Sequence, residues 1–337
     1  MLWPYEYKWD KMSLVQSFVN YIMLEVILKS HKLAEPSLTS NVVIGKYWSL
    51  IEDVDDALLL QPLSELYEIC KRLDRDKIRM LRRAVYTNNR IKGLCEGRLS
   101  AVRYNDIKKA FSADDEQKKV PKLIKTICNN LYTICLSRKA FTDQYGTLKS
   151  HYYNIVKRDS RCHFCGIDHS VLTMDNNYRD AFDHYLPKGI YPFVSVNTFN
   201  LVPACSGCNE KYKHEKDTIF FRQGKKAFYP YSRESYDIEV SVTFRKADIF
   251  NLSPSDMSIA LVCDGHQEET DNWNRIYGIE ERYKSFCCSS CASILTMVIN
   301  GKNSVTDVLS MMEYSKSYDN NFLKIAMIKG AMSVLGI

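Results

Sequence analysis

Apolar residues recur at steps of three and four through the first 150 positions of the chain. Between residues 9 and 31, Val15, Phe18, Val19, Ile22, Met23, Val26 and Ile27 fall on one stripe, which predicts an amphipathic or buried helix. The stretch LSELYEICKRLDRDKIRMLRRAVY puts Leu63, Leu66, Ile69, Cys70 and Leu73 on a second stripe with its arginines elsewhere. VPKLIKTICNNLYTICLSRKAF opens with Pro121 near a helix start. The pattern changes at KRDSRCHFCG, where short segments punctuated by glycine and rich in β-branched and aromatic residues take over. They end in YDIEVSVTFRK, whose Ile238, Val240, Val242 and Phe244 alternate as in a strand. From Ser255 onward the text reads as helix again, including CASILTMVI and FLKIAMIKGAMSVL. The expected class is α+β in three parts: a helical region over 1–150, a small central core over 151–235 and a mostly helical region over 236–337.

Composition changes this picture little, since 45% hydrophobic and 26% charged residues describe an ordinary folded protein. The opening MLWPYEYKWDKM mixes acids and lysines into what a signal peptide would keep apolar, and Gln16, Asn20 and Glu25 interrupt the first apolar run. A cytoplasmic protein without a membrane partner is expected. Twelve cysteines in such a chain read as metal ligands or buried thiols before they read as disulfides. The net charge of +6 is modest, but Lys71 to Lys125 holds 17 Lys or Arg against 7 Asp or Glu. That surplus suits a phosphate backbone, and equally the solvated faces of helices.

The central region carries the chemistry. Cys162 and Cys165 form one CxxC, Cys205 and Cys208 a second, with 39 residues between the inner pair. Two such turns supply the four thiolates of a tetrahedral zinc site, closed and therefore structural. Asp183 and His184 lie between the pairs, with Asn197 and Asn200 after them and Asn209 directly behind the last cysteine. A second site built from Asp183 and Asn209 would offer only oxygens, suiting Mg²⁺ or Mn²⁺. His184 beside it could take a proton from an attacking water. His163 and His169 are expected as exposed turn residues, with replacement of a cysteine ligand by either as the alternative, and Cys287, Cys288 and Cys291 as buried helix residues, with a second metal site as the alternative.

DHYLPK followed by NLVPACSGCNEKYK resembles the HNH nucleases of the ββα-metal class, in the subgroup with a structural zinc held by paired cysteines. The resemblance implies a ββα core in which Asp183 and Asn209 are metal ligands, His184 is the general base and Asn200 braces the loop. Asn197 is the rival for that bracing role. Where relatives add a histidine one turn past the Asn209 position, this chain has Lys213, about 40° off the same face of an α-helix, whereas His214 is about 140° away. Lys211 and Lys213 are then expected to meet the nucleic-acid backbone. FYPYSRE and YGIEERY look like segments that follow the core in HNH proteins of bacterial anti-phage defence, such as Septu-type systems, although Tyr229 stands where histidine is usual.

The resemblance thus implies a metal-dependent endonuclease acting on DNA, an antiviral effector switched by a partner such as an ATPase or sensor. The rival expectation is a zinc module that binds nucleic acid through its basic residues without cutting it. The two differ in whether Mg²⁺ matters and whether fragments form.

Overall fold

The helical stripes of the N-terminal half close on one another because each buries its apolar side against the next. The computed structural model describes residues 2–157, 159–169, 180–220, 226–248, 251–301, 304–316 and 318–336. Within the first half, Gly45–Glu52, Leu60–Lys71, Arg75–Asn88 and Lys119–Thr133 are α-helices, and their buried Leu50, Leu66, Leu81 and Ile124 share one core. The run expected over 9–31 spans Lys11–Lys32. It is α-helical only over Val15–Tyr21, with a wider π turn at Ile22–Val26 and tighter 3₁₀ turns at either end. Length and composition would let this stretch cross a membrane, but Phe18, Ile22, Val26 and Ile27 are buried in the helical core.

A second core gathers the central and C-terminal regions, and it reaches back for Leu2, Tyr5, Ile91, Leu94 and Cys95. Two small antiparallel sheets lie among the described residues. In the first, β1 (Phe182–His184) pairs with β2 (Leu201–Pro203), Asp183 opposite Val202. A short helix over Gly207–Lys213 follows β2, so the described order through the site is strand, strand, helix. In the second sheet, β3 (Glu239–Phe244) pairs with β4 (Met257–Val262). The strand expected around Val240 to Phe244 is there, but β4 corrects the expectation of helix from Ser255 onward. MSIALV is too short to show a helical period, and pairing with β3 decides its state. The helix Asn321–Leu335 packs on β3. Its Gly330 permits the approach: a Cβ there would stand 2.2 Å from the Val242 carbonyl oxygen.

The extended N-terminal segment is stitched to the second core by backbone and side chain. Leu2 N–H donates to the His163 carbonyl and Tyr5 N–H to that of Pro230, while the Tyr5 hydroxyl reaches the Pro203 carbonyl at 2.9 Å. Helical periodicity cannot forecast such a strap, because its partners lie more than 150 residues away.

Candidate metal centre and catalytic hairpin

The two CxxC turns meet. All four cysteines are buried, and their sulfurs lie within 4.8 Å of one another. Ligands about 2.3 Å from a tetrahedral zinc would be spaced about 3.8 Å apart, and Cys165 Sγ to Cys205 Sγ is 4.0 Å. The Cys205 and Cys208 amides point at sulfurs, Cys205 N–H to Cys162 Sγ and Cys208 N–H to Cys205 Sγ, both at 3.4 Å. Four sulfurs so placed can hold one metal ion and suit zinc. The first turn needs Gly166: its φ is +69°, and a Cβ would stand 2.6 Å from Leu2 Cδ2 and 2.8 Å from Phe322 Cε1.

Around this centre sits a partner that spacing gave no sign of. Arg282, 8% exposed on the helix Ile279–Ile299, donates to Cys208 Sγ at 3.0 Å and to Asp168 Oδ2 at 2.7 Å. It also lies 4.7 Å from the centre of the Tyr212 ring. Trp273 Nε1 and the Tyr283 hydroxyl donate to the carbonyls of Phe164 and Cys165, fixing the first turn from the C-terminal side. His169 is exposed as expected, but His163 is not: it is buried, stacked 3.8 Å from the Tyr5 ring, with its nitrogens near the Pro4 carbonyl and Asp159. The N-terminal strap covers what a lone turn would expose. Cys287 and Cys291 are buried and Cys288 partly so, on the helix Ile279–Ile299. Burial pushes the thiols of Cys287 and Cys291 up to about 12 and about 11.

On the hairpin, Asn200 is fully buried and does what a brace does. Its Oδ1 accepts the Leu186 N–H at 2.7 Å, and its Nδ2 donates to the carbonyls of Leu186 at 3.0 Å and Val194 at 3.3 Å. Asn197 instead caps the turn Thr198–Asn200 and donates to Asn89 of the helical half. His184, half-buried at the end of β1, lies with Nε2 2.9 Å from the Ser195 carbonyl. A carbonyl only accepts, so Nε2 carries the proton and Nδ1 is the lone-pair nitrogen of the neutral ring. Burial lowers this imidazole most, the Ser195 bond opposes it, and Lys188 and Lys213 push further down, to about 3. The ring is therefore neutral at physiological pH and only weakly basic.

The helical half supplies one wall of this site. The Tyr132 ring meets His184 edge-on at 4.3 Å, Ser195 Oγ donates to the Cys128 carbonyl, and Lys188 Nζ donates to Asn129. All three partners belong to the helix Lys119–Thr133.

Asp183 departs from expectation. It is 1% exposed and faces inward, with Lys213, also 1% exposed, against it. Lys213 Nζ donates to Asp183 Oδ1 at 2.7 Å and to the His184 carbonyl at 2.8 Å. Burial raises the Asp183 carboxyl above its usual range, even with the Lys213 ammonium pulling the other way. The reading of Lys213 as a backbone-contacting surface residue is corrected by this pair. The reason lies in the winding of Gly207–Lys213, which is π rather than α, with His214 N–H bonded to the Asn209 carbonyl five residues back. His214 leaves the helix exposed at φ +46°. Asn209 is half-exposed on the first turn. As arranged, these residues do not fit a hydrated divalent ion: the carboxylate that would bind it is out of water and already holds a cation.

The basic surplus of 71–125 is distributed unevenly. Arg72, Lys77, Arg79, Lys118 and Lys119 pair with Glu116, Asp74, Asp76, Asp115 and Glu65. Arg75, Arg79, Arg82 and Arg83 line a groove of about 830 Å³ with Lys29 and Lys32, where Arg79 also pairs with Asp76, Lys29 with Glu25, and Arg82 donates to the Leu24 carbonyl.

The fold and site define a mixed helical and β chain in which a buried cluster of four cysteines, placed to hold a metal ion, lies beside a β-hairpin and the helix behind it. No family model matches the chain, and no solved structure matches it. It is similar to protein ea31 of Escherichia phage lambda, 27% identical over 170 residues that cover 47% of this chain and 50% of that protein. The chain thus spans about half the length of the curated relative it matches.

Proposed function

We propose that this chain is an HNH-type endonuclease that hydrolyses phosphodiester bonds of DNA, with Cys162, Cys165, Cys205 and Cys208 holding a structural zinc. The observation that carries the reading is the hairpin itself. His184 is held as a neutral imidazole with Nδ1 as acceptor, on a loop braced by Asn200, directly ahead of the helix that the cysteine centre fixes. In that role His184 takes the proton of a water whose oxygen bonds phosphorus, while the bond from phosphorus to the leaving sugar oxygen breaks. The Mg²⁺ or Mn²⁺ that the resemblance implies would require Asp183 to be released from Lys213. The part of an antiviral effector, controlled by an ATPase or sensor, rests on the resemblance of the segments around Tyr229 and Tyr277 alone.

A second reading is favoured by the Lys213–Asp183 pair: a zinc module that binds nucleic acid through Arg75, Arg79 and their neighbours without cutting it. Supercoiled plasmid incubated with the chain and millimolar Mg²⁺ or Mn²⁺, alone and with the proteins of neighbouring genes, separates the two. The nuclease reading expects nicked or linear product, abolished in His184→Ala at unchanged melting temperature and zinc content. Equal cleavage by His184→Ala, or salt-sensitive binding indifferent to Mg²⁺ with no fragments in any mixture, overturns it.

A further inference from the structure

We infer that the Lys213 ammonium is a built-in cation that closes the Asp183 position to divalent metal in the resting chain. Three observations converge on it. Lys213 Nζ is held between two oxygens, Asp183 Oδ1 at 2.7 Å and the His184 carbonyl at 2.8 Å, both donors of the type a hard divalent ion would use. The second carboxylate oxygen, Asp183 Oδ2, is buried with no hydrogen-bond partner. The Tyr277 hydroxyl is near enough to favour the charged carboxylate, yet it too is buried without a bond of normal geometry. The ammonium thus donates to two oxygens here, while the second oxygen of the same carboxylate is left without a partner.

The helix is wound for this arrangement. A Lys side chain that serves only solubility keeps its ammonium in water; here a π turn ending at His214, whose φ is +46°, carries it into the core. An ion of two charges on Oδ2 would stand across one carboxylate from the ammonium on Oδ1, with little water between to screen them, so each opposes the other. Metal entry is therefore disfavoured for as long as Lys213 stays in place. The inference rests on the nuclease reading of the hairpin, but concerns occupancy, which can be read without any cleavage.

The test is Mn²⁺ binding to the zinc-saturated full chain, followed by electron paramagnetic resonance and by melting temperature, in wild type, Lys213→Ala and the charge-free pair Asp183→Asn with Lys213→Met. The expected result is one Mn²⁺ bound at least 100-fold more tightly by Lys213→Ala than by wild type, with a Mn²⁺-dependent rise in melting temperature absent from the double variant. If Lys213→Ala folds only when Mn²⁺ is present, that rescue supports the same conclusion. The inference is overturned if folded Lys213→Ala binds Mn²⁺ no better than wild type. It is equally overturned if Lys213→Ala stays unfolded with Mn²⁺ while the double variant folds, which would make Lys213 a structural partner only. Because plasmid cleavage is scored separately, a chain that gains Mn²⁺ but never cuts DNA would overturn the nuclease reading and leave this one standing.

Discussion

Replacing Arg282 by Gln should weaken metal binding at the cysteine centre without touching a ligand. Four thiolates around a divalent zinc carry two excess negative charges, and Arg282 brings a buried positive charge to within 3.0 Å of one sulfur. Gln keeps much of the side chain's length but loses the charge and the fork that spans Cys208 Sγ and Asp168 Oδ2. Hydrogen bonds to charged groups contribute about 1.5–3 kcal/mol, and removal of a group supporting a metal ligand typically costs about 10- to 100-fold in affinity, or about 1.4–2.8 kcal/mol. The two routes agree, so a loss of about 10- to 100-fold in zinc affinity is expected, with Arg282→Lys intermediate because it keeps the charge alone. Competition of the purified chain against a chromogenic chelator measures it. Zinc affinity within twofold of wild type in Arg282→Gln would refute the electrostatic argument, and a wild-type chain purified without bound metal would refute the site.

Asn200→Ala leaves the Leu186 N–H and carbonyl without their partner and the Val194 carbonyl with the Asn197 N–H alone, and is expected to cost about 2–4 kcal/mol in denaturant unfolding; stability within 0.5 kcal/mol, roughly the level of an ordinary surface substitution, would contradict the bracing role. Asp10 gives the chain a pH signature: burial acts to raise its carboxyl, but hydrogen bonds and charge from His151, with Asn154 and Ser13, outweigh that and hold it below the ordinary 3.8. A depressed carboxyl contributes stability that is complete above its unfolded value and fades as pH falls through the folded one. Asp10→Asn should therefore melt below wild type at pH 7, with the gap closing as pH drops from about 4 downward; a gap that is constant across that window would show that the charge is not what matters.

What could be read ahead of the structure was local. The stripes at Val15 to Ile27 and Leu63 to Cys70 became buried helix faces, since a period of three to four residues is a property of the backbone itself. The two CxxC spacings likewise led to four sulfurs within reach of one ion. Asn200 could be preferred over Asn197 only by resemblance; the structure shows the difference, one bonded across the loop and the other to Asn89.

What the sequence could not decide was which distant groups meet. Lys213 lies at the spacing of a ligand and was expected in solvent, but the width of one helical turn sends it to Asp183, 30 residues back. Arg282 is 74 residues from Cys208, and no period or motif links them. β4 needed β3 to be a strand, and His163 needed the segment from Leu2 to Tyr5 to be buried. Spacing along a chain constrains neighbours within a turn or two, whereas burial and charge pairing depend on how remote segments pack. The residues able to bear chemistry were therefore legible in the sequence of this protein, and the state in which the fold holds them was not.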